Sequence, residues 1–341
     1  MSEFQVAVAI LNYNGRKHLE QFLPSVIQHL PNYAELIVID NGSTDDSVAF
    51  LQQNFPSIRF IHLEKNTGYA GGYQLGLQQL EHPYYVLLNS DVEVIEGWLA
   101  PLLSLMDSNP QIAAVQPSIL SFNQPHQYEY AGAAGGWIDI LGYPFARGRV
   151  MDVCETVDGQ YEDQAIIFWA TGAAMMVRKE AFWKVGGLDP DFFAHMEEID
   201  LCWRFQRAGY QIKVEPQSKV YHLGGGTLAP SPTKTYLNFR NNLWMIWKNS
   251  PISVLLWLIP VRFGLDAVAA WRFMLKGQIG HFWAIAKAHF IFCYWIMTKQ
   301  NKYSLPLKSL KNCAGVYDGV LIWQYFVKKK RCFNQIVVRE K

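Results

Sequence analysis

Cysteine is scarce in this 341-residue chain, and charges of the two signs nearly cancel to a formal net charge of +1. The cysteines are scattered, and none pairs with another in a CxxC spacing; they are Cys154, Cys202, Cys293, Cys313 and Cys332. This odd, dispersed set argues against a disulfide framework or a zinc site and fits a reducing compartment.

Three further signals are missing from the sequence. The N-terminus has no basic segment followed by an apolar one, so we expect no export. Residues 1–240 contain no uncharged apolar run of about 18 residues, the length that spans a bilayer. The G-x-G-x-x-G loop of dinucleotide-binding folds is also absent, since only Gly15 follows the first predicted strand. This absence disfavours a nicotinamide or flavin enzyme.

Apolar residues make up 50% of the chain and aromatic residues 14%, enough for one large domain with a smaller appendage. Four short apolar runs at 6–11, 36–39, 59–63 and 85–88 alternate with helical patterns. This alternation predicts an α/β fold with a mostly parallel sheet. Residues 121–165 lack a clear period, and we expect them to cross the active-site face with short strands. Further helices are predicted from about 197 to 208 and over 233–247.

Polar residues follow the predicted strands, at the edge of a parallel sheet where ligands bind. Asp40 closes the second strand, where its carboxylate could bind a ribose or the edge of a base. An ordinary strand-to-helix turn with an N-cap explains this residue equally well. The glycine-rich loop after the third strand precedes a helix whose N-terminus favours anionic groups. The predicted nucleotide-sugar-binding residues are Asn12, Asn14, Asp40, Asn41, Ser43, Asn66, Gly68, Gly71 and Gly72.

Asp91 follows the fourth apolar run, and a buried strand would deliver its carboxylate to the same edge. Transfer from a nucleotide diphosphate needs a divalent ion, and Mg²⁺ or Mn²⁺ takes one or two carboxylates together with phosphate oxygens. The alternative is a helix N-cap. His222 precedes a triple-glycine segment at 224–226, where it is suited either to a diphosphate–metal pair or to a structural role.

Three carboxylates crowd the start of a predicted helix at Glu197, Glu198 and Asp200. Crowding of like charges raises one pKa, as a general base for a sugar hydroxyl requires. Helix-dipole stabilisation and an Asp200–Arg204 ion pair are the structural alternatives. We favour the interpretation that these carboxylates serve catalysis.

In this order, the motifs resemble family-2 glycosyltransferases of the rhamnosyltransferase-like branch. The matching segments are VAVAILNYNG, LIVIDNGSTDDS, NTGYAGGYQLGL, VLLNSDVEV, ATGAAMMVRKEAFWKVGGLDPDFFAHMEEIDLCWRFQRAGY and VYHLGGGT. Together they extend over about residues 5–227. The resemblance implies a GT-A (Rossmann-like) fold, a divalent metal, inversion at the anomeric carbon, and a lipid-linked or surface-polysaccharide acceptor.

The resemblance also implies roles for particular residues. Asp40 would meet the nucleobase, and residues 66–72 would line the nucleotide. The metal-binding D-x-D pattern reads Asn89-Ser90-Asp91 here, so the metal set is Asn89, Asp91 and His222, with Mg²⁺ or Mn²⁺ as cofactor. Glu198 takes the position of the catalytic base in a single displacement. Trp169 and Trp203 are candidates for stacking on the acceptor sugar, with core packing as the alternative.

The C-terminal third is aromatic and basic. Residues 250–297 include Trp257, Trp271, Trp283 and Trp295, and charged residues interrupt the apolar runs. We expect interfacial amphipathic helices; a helical pair packed on the catalytic domain is the alternative. From residue 299 to the end, ten Lys and Arg stand against two acidic residues, a net charge of +8 that leaves −7 for the remainder. Such asymmetry favours an anionic surface, although a solvated tail also fits.

The sequence therefore predicts two domains. Residues 1–245 form a catalytic domain, with a nucleotide-binding half over about 1–120 and an acceptor half over about 121–245, and residues 246–341 form a membrane-associating helical extension. The expected location is cytoplasmic, at the inner face of the cell membrane. The altered D-x-D pattern keeps an inactive binding or scaffold subunit open as an alternative. No nucleic-acid-binding module is recognisable near the basic tail, so we expect no nucleic-acid partner.

Overall fold

A mixed β-sheet with flanking helices forms the centre of the molecule in the computed structural model, which describes residues 4–224, 231–299 and 305–338. The strands are β1 (Val6–Asn12), β2 (Ala34–Asp40), β3 (Arg59–His62), β4 (Tyr84–Asn89), β5 (Val92–Val94), β6 (Ile112–Ser121), β7 (Gly136–Asp139), β8 (Pro144–Ala146), β9 (Arg149–Val150), β10 (Val153–Cys154), β11 (Ala165–Ile166), β12 (Ala174–Arg178), β13 (Gln211–His222) and β14 (Val316–Tyr317). The helices are α1 (Arg16–Gln28), α2 (Ser47–Asn54), α3 (Gly68–Leu77), α4 (Leu99–Ser108), α5 (Lys179–Lys184), α6 (Glu197–Arg207), α7 (Pro232–Asn249), α8 (Ile252–Leu275), α9 (Ile279–Thr298), α10 (Leu321–Phe326) and α11 (Phe333–Ile336). Short 3₁₀ turns cover Pro190–Phe192 and Leu310–Asn312.

The predicted α/β architecture is confirmed. Strands β1, β2 and β4 are apolar runs that are buried almost throughout, because helices cover both faces of the sheet. Helix α1 buries Leu19, Phe22, Leu23 and Val26, which recur at helical spacing and form its core-facing stripe. The predicted helices over 197–208 and 233–247 correspond to α6 and α7.

The strand order of the main sheet is β11-β13-β6-β12-β4-β1-β2-β3, and β5 pairs with β13. Strands β1 to β4 are mutually parallel where they pair, whereas β12 runs antiparallel to both β4 and β6. Asn12 lies opposite Asp40, and Leu11 lies opposite Asn89. The polar ends of β1, β2 and β4 therefore meet at one edge of the sheet.

A second, smaller sheet has the order β10-β9-β8-β7-β14. Its first four strands come from the segment 121–165, where short strands were predicted, and β14 adds a C-terminal strand parallel to β7. Leu321, Tyr325, Phe333 and Ile336 pack against this sheet in one buried cluster. The described part of the basic tail is thus folded against the rest of the chain.

Helices α8 and α9 pack on α7 with one side and expose an apolar face on the other. Leu255, Leu258 and Phe292 belong to the main hydrophobic core. The exposed apolar residues of α8 and α9 are Ile252, Leu256, Trp257, Val261, Val268, Trp271, Leu275, Ile279, Trp283, Phe290, Tyr294 and Met297. Helices α8 and α9 thus share a core with the residues that precede them. The domain boundary near residue 245 stays a prediction.

Helix α8 is also long and apolar enough to cross a bilayer, by length and composition alone, a property that the interrupted apolar runs did not predict. Its two central charges, however, are buried against protein. Arg262 donates to the carbonyl of Leu141 and to Asn242 Oδ1, and Asp266 contacts Arg262 and His289. These contacts hold α8 against α7, α9 and the turn at Leu141.

Candidate active site

The loops after β1 and β2 are tied together by side chains. Asn12 Nδ2 donates to Asp40 Oδ1 and to Ser43 Oγ, both at 3.1 Å. Ser43 N donates to Asp40 Oδ2 at 3.1 Å, and Thr44 N donates to Asn14 Oδ1 at 2.7 Å. Asp40 is fully buried, and its carboxylate fixes the loops after β1 and β2 from inside the protein. Direct contact between Asp40 and a nucleobase stays a prediction.

The glycine-rich loop is held by Asn41. Its Nδ2 donates to Asn66 Oδ1 at 3.1 Å and to the carbonyl of Gly68 at 2.9 Å. A Cβ on Gly68 would lie 2.4 Å from the carbonyl oxygen of Phe193, and one on Gly72 would lie 2.7 Å from a methyl of Leu11. A Cβ on Gly71 would lie 2.8 Å from the Cβ of Thr67, so all three glycines let α3 pack closely on its neighbours. Contact between the glycine-rich loop and a nucleotide stays a prediction.

The predicted metal residues meet through strand pairing. Strand β5 turns back from Asp91 and pairs with the end of β13, so that Leu223 N donates to the carbonyl of Asp91 at 3.0 Å. His222 Nε2 then lies 3.2 Å from Asp91 Oδ1 and 3.4 Å from Asn89 Nδ2. The other ring nitrogen, Nδ1, lies 3.0 Å from Oε2 of Glu129, a carboxylate that sequence reasoning missed.

The imidazole of His222 is therefore held between two carboxylates. Burial alone would lower the pKa of His222, but Asp91 and Glu129 raise it to about 10. Burial is the largest single influence on Asp91 and opposes its ionisation, but the hydrogen bond and the charge of His222, together with smaller contributions, outweigh burial and lower the pKa of Asp91. Asp91 is thus an ionised carboxylate in a nearly buried position.

The donor set fits a hard divalent cation. Asp91 Oδ2 is buried and has no hydrogen-bond partner in the structure, so one anionic oxygen is free to bind. Within the described ranges, no group of three or more His, Cys, Asp and Glu side chains has an arrangement that could hold a metal ion unaided. A cation at Asp91 would therefore take most of its ligands from the phosphates of a bound nucleotide and from water, as Mg²⁺ commonly does. The 225–230 part of the loop after His222 lies outside the described residues.

A strained turn presents the candidate base. Phe193, His195 and Met196 all have positive φ, between 65° and 72°, a region that non-glycine residues seldom adopt. Asn241 Nδ2 from α7 donates to the carbonyls of Phe192, Ala194 and His195 at 2.8–2.9 Å. The turn is thus stabilised by α7, and helix α6 begins directly after it at Glu197.

Glu197 and Glu198 both line the cavity described below, but they differ in exposure: Glu197 is buried, whereas Glu198 is partly exposed. Burial raises the pKa of Glu198 to about 7. Burial, followed by the charge of Glu198, raises the pKa of Glu197 well above its usual range. Near neutral pH one of the pair therefore carries a proton, and Glu198 is the carboxylate that ionises first.

Two predicted site residues belong to the core instead. Asp200 is fully buried and accepts hydrogen bonds from Arg204, Lys248 and Asn249, so its carboxylate joins α6 to α7 and does not face a substrate. The ion-pair alternative for Asp200 is confirmed. Trp203 is also fully buried, with its ring 5.5 Å from that of Phe168, and cannot stack on an acceptor sugar.

One cavity of about 950 Å³ brings together some of the remaining residues, whereas Asp91, Asn66, Gly68, Gly71 and Gly72 lie outside its wall. Its wall includes Asn89, Trp169, Glu197, Glu198 and His222 from the predicted set. The wall also includes Glu129. This residue lies 93 positions before His222 in the sequence and belongs to no local motif. The loop residues Asn12, Asn14, Asp40, Asn41 and Ser43 lie outside this wall.

The fold and site define a GT-A glycosyltransferase, and comparisons with known proteins agree. GalNAc-T7, solved with UDP, GalNAc and Mn²⁺, superposes with a TM-score of 0.59 at 16% identity, over 89% of this chain and 59% of that one. The mannosyltransferase PcManGT from Pyrobaculum calidifontis, solved with GDP-Man and Mn²⁺, gives a TM-score of 0.51 at 14% identity, over 88% and 77%. These likenesses establish the fold.

Sequence comparison identifies the family. The model of glycosyl transferase family 2 matches residues 7–186, so the chain belongs to that family. The N-acetylglucosaminyl-diphospho-decaprenol L-rhamnosyltransferase of Mycobacterium tuberculosis is 27% identical over 63% of this chain and 75% of its own length. The protein is therefore a family-2 glycosyltransferase, as its motifs indicated.

Proposed function

We propose that the protein catalyses inverting, divalent-metal-dependent transfer of a sugar from a nucleotide-diphosphate donor to a hydroxyl of a lipid-linked glycan. One observation carries this proposal: Glu198 and the Asn89–His222 side of the metal site line the same cavity. A direct displacement requires the base and the donor diphosphate to meet, and Asn89 and His222 bring the surroundings of Asp91 to the cavity that Glu198 lines.

On the donor side, the ordered loops after β1, β2 and β3 would receive the nucleoside, and Asp91 would hold the cation with His222 beside it. The cation, when bound, neutralises charge that grows on the departing phosphate. His222 carries a positive charge against Asp91 and Glu129, and this charge adds to the field at the leaving group.

On the acceptor side, Glu198 accepts the proton of the acceptor hydroxyl. The hydroxyl oxygen forms a bond to the anomeric carbon while the bond from that carbon to the diphosphate oxygen breaks. The nucleoside diphosphate leaves with the electron pair, and the anomeric configuration inverts because a single displacement occurs. The half-buried position of Glu198 and its pKa of about 7 support this role.

The acceptor class and the membrane location are inferred together. The M. tuberculosis relative is named for a diphospho-decaprenol acceptor. In this chain, the exposed apolar face of α8 and α9 contains Trp257, Trp271 and Trp283, and Lys276 follows α8. An apolar face with aromatic rings and nearby cations is typical of helices that lie in a membrane interface. The enzyme would meet a lipid-linked acceptor at such a surface.

The test is a thermal-shift screen of UDP, dTDP and GDP with and without Mn²⁺. We expect one nucleotide to raise the melting temperature, and to do so more strongly when Mn²⁺ is present. Hydrolysis of the matching nucleotide sugar should then be Mn²⁺- or Mg²⁺-dependent. If no nucleotide shifts the melting temperature and no sugar is released, the inactive-subunit alternative holds.

A further inference from the structure

Three of the arginines that line the cavity lie in the part of the wall called here its outer end, where Arg272 and Phe326 are exposed. Arg149 in β9, Arg272 in the last turn of α8 and Arg331 after α10 all line the cavity. They are far apart in sequence and come from the small sheet, the α8–α9 pair and the C-terminal segment. The fold alone brings these three cations to one cavity.

Aromatic rings hold these guanidinium groups in place. Arg331 lies 3.7 Å from the ring centroid of Tyr325 and Arg149 lies 4.5 Å from that of Tyr130. Arg272 lies 5.6 Å from the ring centroid of Phe326. Stacking of this kind orients the planar fork of an arginine. Arg331 NH1 also donates to the carbonyls of Tyr325 and Lys330, so only its remaining N–H groups are available to a ligand.

The hydrogen bonding of these arginines is incomplete. Arg149 Nε is buried and has no hydrogen-bond partner, while its NH1 donates to the carbonyl of Met151. Among the described residues, no carboxylate lies within ion-pair distance of Arg272. Asp152 is the acidic residue at this end of the cavity, and Tyr325 Oη already donates to it. The outer end therefore carries a positive charge that is only partly compensated.

The apolar face of α8 and α9 continues directly from this cationic end. Trp271 and Leu275 are exposed on either side of Arg272 in sequence, and Phe326 and Val327 are exposed beside Arg331. The cavity wall thus combines the Glu197–Glu198 pair with the three arginines, and exposed apolar side chains adjoin Arg272 and Arg331.

We propose that Arg149, Arg272 and Arg331 bind the diphosphate of a polyprenyl-diphosphate-linked acceptor. The geometry assigns the lipid to the apolar face, the diphosphate to the arginines and the acceptor sugar to Glu198. Arginine forks bind phosphate oxygens in pairs, and the two phosphates of such an acceptor match a cluster of several forks. This inference rests on the proposed function, of which it names the acceptor subsite.

The test measures binding of farnesyl diphosphate to the full-length protein in detergent, by tryptophan fluorescence or calorimetry. Arg272→Gln is the main variant because Arg272 is exposed and its loss leaves the core intact. We expect its dissociation constant for farnesyl diphosphate to rise about tenfold, the usual effect of losing a hydrogen bond to a charged group. Arg331→Gln should act in the same direction, whereas farnesol should bind all three proteins equally weakly.

Two controls distinguish the proposed diphosphate subsite from other causes of weaker farnesyl diphosphate binding. Lys276→Gln removes one charge from the adjacent end of α8, outside the cavity wall, and should leave farnesyl diphosphate binding unchanged. A loss equal to that of Arg272→Gln would show general attraction to a headgroup and overturn the subsite. Saturating nucleoside diphosphate with Mn²⁺ should not displace farnesyl diphosphate; displacement would place the probe in the donor site and also overturn the proposal.

The two proposals fail in different ways. If wild-type protein binds a nucleoside diphosphate with Mn²⁺ but Arg272→Gln and Arg331→Gln bind farnesyl diphosphate as tightly as wild type, only the acceptor subsite is wrong. If wild type binds no nucleoside diphosphate, the proposed function itself is wrong.

Discussion

Asp91 combines three properties in a single side chain: it is nearly buried, it is ionised beside His222, and its Oδ2 has no partner. A buried anionic oxygen without a partner is costly unless a ligand completes it. This combination is the reason for placing the donor diphosphate and its cation at the end of β4.

Asp91→Ala should therefore abolish the Mn²⁺-dependent part of nucleoside diphosphate binding and reduce transfer to background. Calorimetric titration of the nucleotide, with and without Mn²⁺, measures this directly. Asp46→Ala provides the matched control, since Asp46 is an exposed carboxylate at the start of α2 whose side chain makes no capping hydrogen bond. Wild-type metal dependence in the Asp91 variant would contradict the assignment.

The raised pKa of Glu198 predicts a pH profile. A general base must be deprotonated, and burial raises the pKa of this carboxyl to about 7. The kcat/KM for transfer should therefore rise with pH up to about 7 and level off above it. The measurement is a set of initial rates between pH 5 and 9 at saturating metal. A flat profile from pH 6 to 8 would show that no carboxyl with this pKa limits the reaction.

At the scale of elements, helix α7 supports α6, the helix that carries the proposed base Glu198. Asn241 holds the carbonyls of the left-handed turn before Glu197, and Lys248 joins Asp189 to Asp200 through contacts of 2.6 and 3.0 Å. Left-handed non-glycine residues cost about 1–3 kcal/mol each, so the turn persists only because such contacts determine it.

Asn241→Ala should lower the free energy of unfolding by at least about 2 kcal/mol, because it leaves buried carbonyls without donors. It should also reduce kcat more than it weakens nucleotide binding, since the carbonyls that Asn241 holds lead into Glu198, whereas the carbonyl of Phe193, which accepts from Ala70 N of α3, is not one of them. Denaturant unfolding and steady-state kinetics test both parts. Thr233→Ala, at an exposed position of the same helix, should change neither quantity.

Deletion cannot test the proposed membrane role of the α8–α9 pair, because removing these helices would open the main core. Substitution of their exposed face avoids this difficulty: Leu275 is 86% exposed and Trp283 is 63% exposed. The double change Leu275→Gln and Trp283→Gln should weaken co-sedimentation with anionic vesicles by tenfold or more, given about 1.5–3 kcal/mol for each large apolar side chain that enters the interface.

The matched control for this face is Leu75→Gln, which removes an exposed leucine from α3 in the catalytic domain and should leave vesicle binding unchanged. Undiminished binding by the double variant would show that α8 and α9 serve only to pack on α7.

At the scale of the whole molecule, the sequence predicted the parts that depend on local pattern. Apolar runs marked β1 to β4, and the acidic helix start marked α6, because side-chain period and strand-end polarity are local signals. No local signal marks the contact between Glu129 and His222 or the cluster of Arg149, Arg272 and Arg331, because distant segments of the chain supply these residues. Burial of Asp200 and Trp203 depends on α7 and the small sheet, so neither could be distinguished from a site residue by motif.

The most direct test of the central claim compares Glu198→Gln with Glu197→Gln in one transfer assay, after calorimetry has confirmed that both bind the donor nucleotide with Mn²⁺. Glutamine preserves size and removes the base. The account predicts that Glu198→Gln lowers kcat by about 10²–10⁴-fold while donor binding is unchanged, and that Glu197→Gln loses less. A large loss in Glu197→Gln with none in Glu198→Gln would exchange the two roles, and equal mild losses in both would contradict catalysis by this pair.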